Sequence, residues 1–149
     1  PIAHQIAGKQ TLDMDTAMAV LNNRFQIMAQ YRKLVIKPLV AQEMHRVDDS
    51  VRHLFRRAKR LLSRESSLLD SRNTESLQQV LDHSQRLRII YEKRLALQQV
   101  WARTSANGQD MLHALGEWCS QAEASGIKVL QDFAATLRTY SLQPAPMAR

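Results

Sequence analysis

Residues 46–64 read RVDDSVRHLFRRAKRLLSR, and the spacing of their apolar positions sets the fold class. At about 3.6 residues per turn, Val51, Leu54, Phe55, Ala58, Leu61 and Leu62 fall on one stripe. The arginines and Lys59 take the rest of the circumference. This predicts an amphipathic helix capped by Asp48, Asp49 or Ser50 and ending near Ser63, with one face to bury and a cationic face left over. The stretch holds seven Lys/Arg against two acids, so +5 of the formal +7 of the whole chain lies within it. Arg52, Arg56, Arg57, Lys59, Arg60 and Arg64 are the candidate contacts for an anionic partner.

The same period continues on both sides. Towards the N-terminus, Asp13 and Asp15 stand where a cap and first-turn acids belong. Ala17, Met18, Leu21, Phe25, Met28, Leu34 and Val35 then keep helical spacing as far as Pro38. Proline lacks an amide proton and clashes with the preceding turn, so LVIKPLV predicts a kink or break. Towards the C-terminus, residues 64–74 read as a loop around Leu68 and Leu69. Asn73 or Thr74 caps a helix carrying Leu77, Val80 and Leu81, with an interruption at Asp82-His83-Ser84. Leu87, Ile90, Tyr91, Arg94, Leu95, Gln98 and Trp101 form a long run, ended by TSANGQD. Asn107 then caps a helix bearing Met111, Leu112, Leu115, Trp118, Cys119 and Ala122. Gly126 supplies a left-handed stop, and Ile127, Leu130, Phe133, Ala134, Leu137 and Tyr140 form the last amphipathic helix.

No strand signal competes. The expected fold is all-α, an antiparallel bundle of about five to six helices. Residues 1–12 read as a lead-in, 13–141 as one helical domain and 142–149, with Pro144 and Pro146, as a disordered tail. Four Gly and four Pro in 149 residues agree with long helices rather than a turn-rich β fold. A sequence pI near 10.1 selects for nucleic acid, an anionic membrane surface or an acidic protein as partner. The single Cys119 excludes an internal disulfide and fits a reducing compartment. No apolar run reaches the length of a membrane span. The absence of an initiator Met before Pro1 suggests a piece of a longer protein.

Catalytic signatures are absent. None of His4, His45, His53, His83 and His113 has a second His or Cys at a spacing of three or four, which a helical metal site normally needs. Cys119, beside Trp118 on an apolar face, reads as a buried inert thiol with no nearby cation to activate it. Glu117, Glu123 and Asp132 read as solvated acids, and Trp101 and Trp118 as core. The chain holds no G-x-S-x-G, phosphate loop or paired-carboxylate signature. The basic stretch can contact phosphates, but lacks base-reading Asn/Gln beside its arginines and aromatic platforms for single strands.

Several blocks carry a resemblance: YEKRLALQQVWART (91–104), EWCSQAEASGI (117–127) and LQDFAATLRTYSLQP (130–144), with LDMDTAMAVLNNRFQIMAQY, VIKPLV and, more loosely, FRRAKRLLSRESSLLD ahead of them. Together they resemble the C-terminal part of proteobacterial membrane fatty-acid desaturases of the acyl-CoA type. The resemblance implies a soluble, non-catalytic domain on the cytoplasmic face of the bacterial inner membrane, following a membrane-embedded di-iron part of the same polypeptide. The implied role is docking, through the six basic residues named above, to anionic lipid, acyl-CoA or an acidic, ferredoxin-like electron donor. The His clusters that hold the family's iron are missing, so no cofactor and no catalytic residue transfers to this chain. A homodimer is the remaining partner expectation. A second resemblance is carried by W-x-x-x-A-x-x-S-G, here Trp118, Ala122, Ser125 and Gly126, together with the basic helix. These are similar to parts of bacterial insertion-sequence transposases, which implies a nucleic-acid-binding helical module as the alternative function.

Overall fold

The structure, a computed structural model, describes residues 15–64, 70–102 and 108–140, and every regular element among them is helical. The predicted all-α class is therefore what the chain adopts. The lead-in, the Leu68-Leu69 turn, Asn107 and the Pro144–Pro146 tail lie outside the described residues. In chain order the elements are α1 (15–22), α2 (Arg24–Tyr31), a π-helical segment (Arg32–Ile36), α3 (Lys37–Met44), α4 (Asp49–Arg56), α5 (Ala58–Ser63), α6 (Ser71–His83), α7 (Gln85–Val100), α8 (Gln109–Glu123), α9 (Lys128–Leu137) and a short 3₁₀ turn (Arg138–Tyr140). The chain divides into two compact units, residues 29–94 and the remainder.

In the 29–94 unit, the kink expected at Pro38 takes a specific form. Pro38 cannot donate to a carbonyl one turn back, and the backbone widens into π-helix just ahead of it, with the Lys37 amide bonding to the Arg32 carbonyl. Helix then resumes through α3, whose Leu39 and Val40 are buried with Val35 and Ile36. α5 packs on the π segment and on α6, while α4 packs on α3, α5 and α6. Tyr31, Phe55, Leu61, Leu62, Leu87 and Ile90 are among the fully buried side chains of this unit.

The single basic helix expected over 46–64 is two helices. Arg57 interrupts it, its amide bonding to the Leu54 and Phe55 carbonyls and its side chain donating to Asn73 Oδ1 at 2.8 Å. Asp48 occupies the N-cap position of α4 with extended backbone but makes no side-chain cap bond. The next helix starts earlier than predicted. Asp70, not Asn73 or Thr74, caps α6, its carboxylate accepting from the Asn73 amide at 2.8 Å. The interruption at Ser84 is present: Ser84 ends α6 and caps α7, its hydroxyl accepting from the Leu87 amide at 3.1 Å.

In the other unit, α8 and α9 form a helical hairpin. Gly108 stands at the N-cap of α8 with φ 76°, and Gly126 turns the chain between α8 and α9 with φ 78°. Only glycine takes that left-handed conformation at little cost. Trp118 meets Phe133 edge-on, with centroids 5.9 Å apart and planes at 82°. Met111, Leu115, Cys119 and Ala122 of α8, Ile127 just before α9, and Leu130, Ala134 and Leu137 of α9 complete the buried seam. Two expectations need correction. Trp101 is half-buried rather than core. On the N-terminal helices, Ala17, Val20 and Ile27 are buried, whereas Met18 (51% exposed) and Phe25 (75%) face outward. At helical spacing Ala17, Val20, Ile27 and Tyr31 form one stripe, with Met18 and Phe25 on the other side of the wheel, so the expected stripe took in residues from both sides.

Candidate anion-binding surface

The two units differ sharply in charge. Residues 29–94 carry fifteen Lys/Arg against eight Asp/Glu, a net +7, while the remainder carries six against six. The whole excess of positive charge belongs to one unit.

Within that unit, several cations are already engaged. Glu43 of α3 is only 6% exposed and accepts from the Ser84 hydroxyl at 2.7 Å. The Nε atoms of Arg46 and Arg86 each lie 3.6 Å from its other oxygen. Two guanidinium groups thus share one buried carboxylate, which compensates part of the cost of removing it from water. Arg88 pairs with Asp82 at 2.9 Å. Arg94 is 7% exposed, and its Nη2 donates to the Ser63 carbonyl at 2.6 Å.

Of the six predicted contact residues, Arg52 and Arg57 are also engaged. Arg52 pairs with Asp49 at 2.8 Å and donates to the Met44 carbonyl at 3.2 Å, and Arg57 holds Asn73. Arg56, Lys59 and Arg60 are exposed, and their side chains make no hydrogen bond or ion pair among the described residues. Arg60 and Arg64, with Ser63 and Arg32, line an open recess of about 340 Å³. Arg32 was not among the predicted contacts. It belongs to the π segment, 28 positions before Arg60, and only the packing of that segment on α5 brings the two together.

The rest of the titratable chemistry is quieter. A second recess of about 300 Å³ is lined by side chains of α7 and α8, among them Asp110, His113, Glu117 and Trp118. His113 Nε2 lies 2.8 Å from Glu117 Oε1. Among the described residues, no group of three or more His, Cys, Asp or Glu is placed to hold a metal ion. Cys119 is buried, and burial pushes its thiol up to about 11. A cation is present after all, because Arg138 opposes that shift, but burial outweighs it.

The family model DDE_Tnp_ISL3, described as Transposase, matches residues 14–143. The chain belongs to this transposase family. It is also 29% identical over 125 residues, 81% of its length, to the "Transposase for insertion sequence element IS1001" of Bordetella parapertussis. The chain spans 30% of that relative's length. No solved structure matches it.

Family membership overturns the desaturase expectation and what followed from it. The transposase match covers nearly every block on which that resemblance rested, including YEKRLALQQVWART and EWCSQAEASGI. The structure shows why those blocks mislead. Trp118, Ala122, Leu130 and Phe133 are buried in a helical hairpin, so the similarity lay in packing positions rather than in chemistry. The inner-membrane address, the membrane-embedded di-iron portion, and docking to lipid, acyl-CoA or a ferredoxin-like donor are withdrawn with it. Among the described residues, no helix is long and apolar enough to cross a membrane. The W-x-x-x-A-x-x-S-G segment, by contrast, maps onto one structural device. Trp118 and Ala122 are buried, Ser125 Oγ donates to the Ala122 carbonyl at 2.6 Å and accepts from the Ile127 amide at 3.2 Å, and Gly126 makes the turn.

Proposed function

We propose that this chain is a helical region of a transposase that contacts nucleic acid through the phosphate backbone, using the 29–94 unit. The observation that carries the reading is the concentration of the whole +7 in that unit, with Arg56, Lys59 and Arg60 exposed and uncompensated among the described residues. Cations left in solvent beside one another gain most from a polyanion, because each phosphate contact releases condensed counterions. Family membership supplies the partner class. Among the described residues, the amide side chain bonded to the predicted arginines is Asn73, held by Arg57, so the binding proposed is governed by charge rather than by base sequence.

Fluorescence anisotropy with a labelled DNA duplex tests this. Affinity is expected to fall steeply between about 50 and 200 mM salt. The double variant Arg56→Glu/Lys59→Glu is expected to bind more than about tenfold more weakly, each reversal removing an attraction and adding a repulsion. Affinity that ignores salt, or a double variant that binds as the parent does, would sink the proposal.

A further inference from the structure

We infer that the recess beside α5 is a discrete site for a single phosphate group, in which Arg32, Arg60 and Arg64 converge on one diester of the nucleic-acid backbone. The inference rests on the nucleic-acid reading above and narrows it from a charged face to one position. Three guanidinium-bearing side chains from two segments line one open recess of about 340 Å³. A phosphodiester presents two non-bridging oxygens, and planar guanidinium forks match them better than ammonium groups do. Among the described residues, the cations that line the recess are all arginines, and the neighbouring Lys59 is not one of them.

The floor of the recess poses a problem that the fold answers. It lies at the C-terminal end of α5, where the terminal carbonyls project negative potential against an anion. Arg94, itself buried, donates to the last of these carbonyls, on Ser63, at 2.6 Å. That hydrogen bond covers the carbonyl with a positive charge. The Ser63 hydroxyl donates to the Lys59 carbonyl at 2.6 Å, so the arginines are left to supply the donors to the ligand.

The test uses the full chain, isotope-labelled, with two probes: inorganic phosphate followed by amide shifts, and a short DNA duplex followed by anisotropy. Phosphate is expected to shift the Ser63 and Arg64 amides, and Arg32→Ala or Arg64→Ala to abolish that shift. On duplex DNA each variant is expected to lose about tenfold and to lower the salt slope by about one. Because both side chains serve one phosphate, the double variant is expected to lower the slope no further than either single. Arg72→Ala, an exposed cation of α6 outside the recess, is the control. Duplex binding in which the recess variants behave as Arg72→Ala does would overturn the site and leave the general reading standing. Phosphate shifts at Ser63 and Arg64 without duplex binding would retain the phosphate site and overturn the general reading. Additive slopes in the double variant would overturn the single-phosphate site, since they would mean two phosphates rather than one.

Discussion

The Tyr31 hydroxyl donates to the Ile90 carbonyl at 2.6 Å across 59 positions of sequence, and the bond is buried within the 29–94 unit. It ties α2 to the middle of α7. Tyr31→Phe keeps the ring and removes only the donor, so about 1 kcal/mol of stability is expected to go. Tyr31→Ala also empties a fully buried site and is expected to cost about 3–5 kcal/mol. Urea denaturation checks both: the midpoint drops while the slope stays constant. An unchanged midpoint for the Phe variant would show that the bond adds nothing net.

Cys119 is expected to resist thiol reagents in the native protein and to react on unfolding. Burial raises the thiol's folded pKa to about 11, against the weaker opposing effect of Arg138. A folded pKa above the unfolded one gives stability that is complete below the ordinary thiol range and is lost as pH rises through the folded value. Stability should therefore decline on the alkaline side up to about pH 11, and Cys119→Ala should flatten part of that decline. Burial raises the hydroxyls of Tyr31 and Tyr91 too, so an alkaline slope remains in the variant. Rapid labelling of the native thiol at neutral pH would contradict the burial.

Arg138 holds Glu123 by two hydrogen bonds, Nε to Oε2 at 2.6 Å and Nη2 to Oε1 at 3.0 Å, and Nη2 also donates to Ser120 Oγ at 3.2 Å. The bond from Arg138 is the main reason the Glu123 carboxyl titrates below its usual range. Here the sign is opposite. A depressed folded pKa gives stability that is present above the ordinary carboxylate range and is lost as pH falls through the folded value. Glu123 is well exposed, so Glu123→Gln is expected to cost less than about 1 kcal/mol at neutral pH. The difference between variant and parent should vanish in acid. Thermal melts at several pH values read this directly.

Gly126 sits at φ 78°, and a side chain added there would meet nothing within 4 Å. The cost of Gly126→Ala is therefore conformational rather than steric, about 1–2 kcal/mol. The loss should appear as a lower unfolding midpoint with α8 and α9 still formed. An Ala variant as stable as the parent would show that the turn tolerates another backbone conformation.

Much of the helical pattern was legible because burial on a helix is periodic. The stripe of α9 was read position by position, and the left-handed stop at Gly126 followed from residue type alone. Failures arose where the choice of face or the end of a helix was decided elsewhere. Ala17, Val20, Ile27 and Tyr31 share one stripe and are buried, while Met18 and Phe25 lie across the wheel and are exposed. The basic stretch keeps its buried stripe but is divided at Arg57, whose side chain bonds to Asn73, sixteen positions away. The candidate surface was legible as charge but not as a site. The i,i+3 spacing of Asp49 and Arg52 allows their pair to be read, but nothing within 46–64 reveals that Arg57 is held by Asn73 while Arg56 and Arg60 are not.

What the sequence by itself determined is the class of fold and the sign of the net charge on which the proposed partner rests. Both depend on properties that add along the chain: apolar period, the scarcity of glycine and proline, and net charge. Tertiary structure decided which charges remain to act. Glu43, Asp49, Asp82 and the Ser63 carbonyl each engage a cation, and Arg32 reaches Arg60 and Arg64 only because the π segment ahead of Pro38 packs against α5. For Arg57, Arg86 and Arg94, and for the recess arginines, availability depends on distances between residues far apart in sequence, and those distances exist only once the chain is folded.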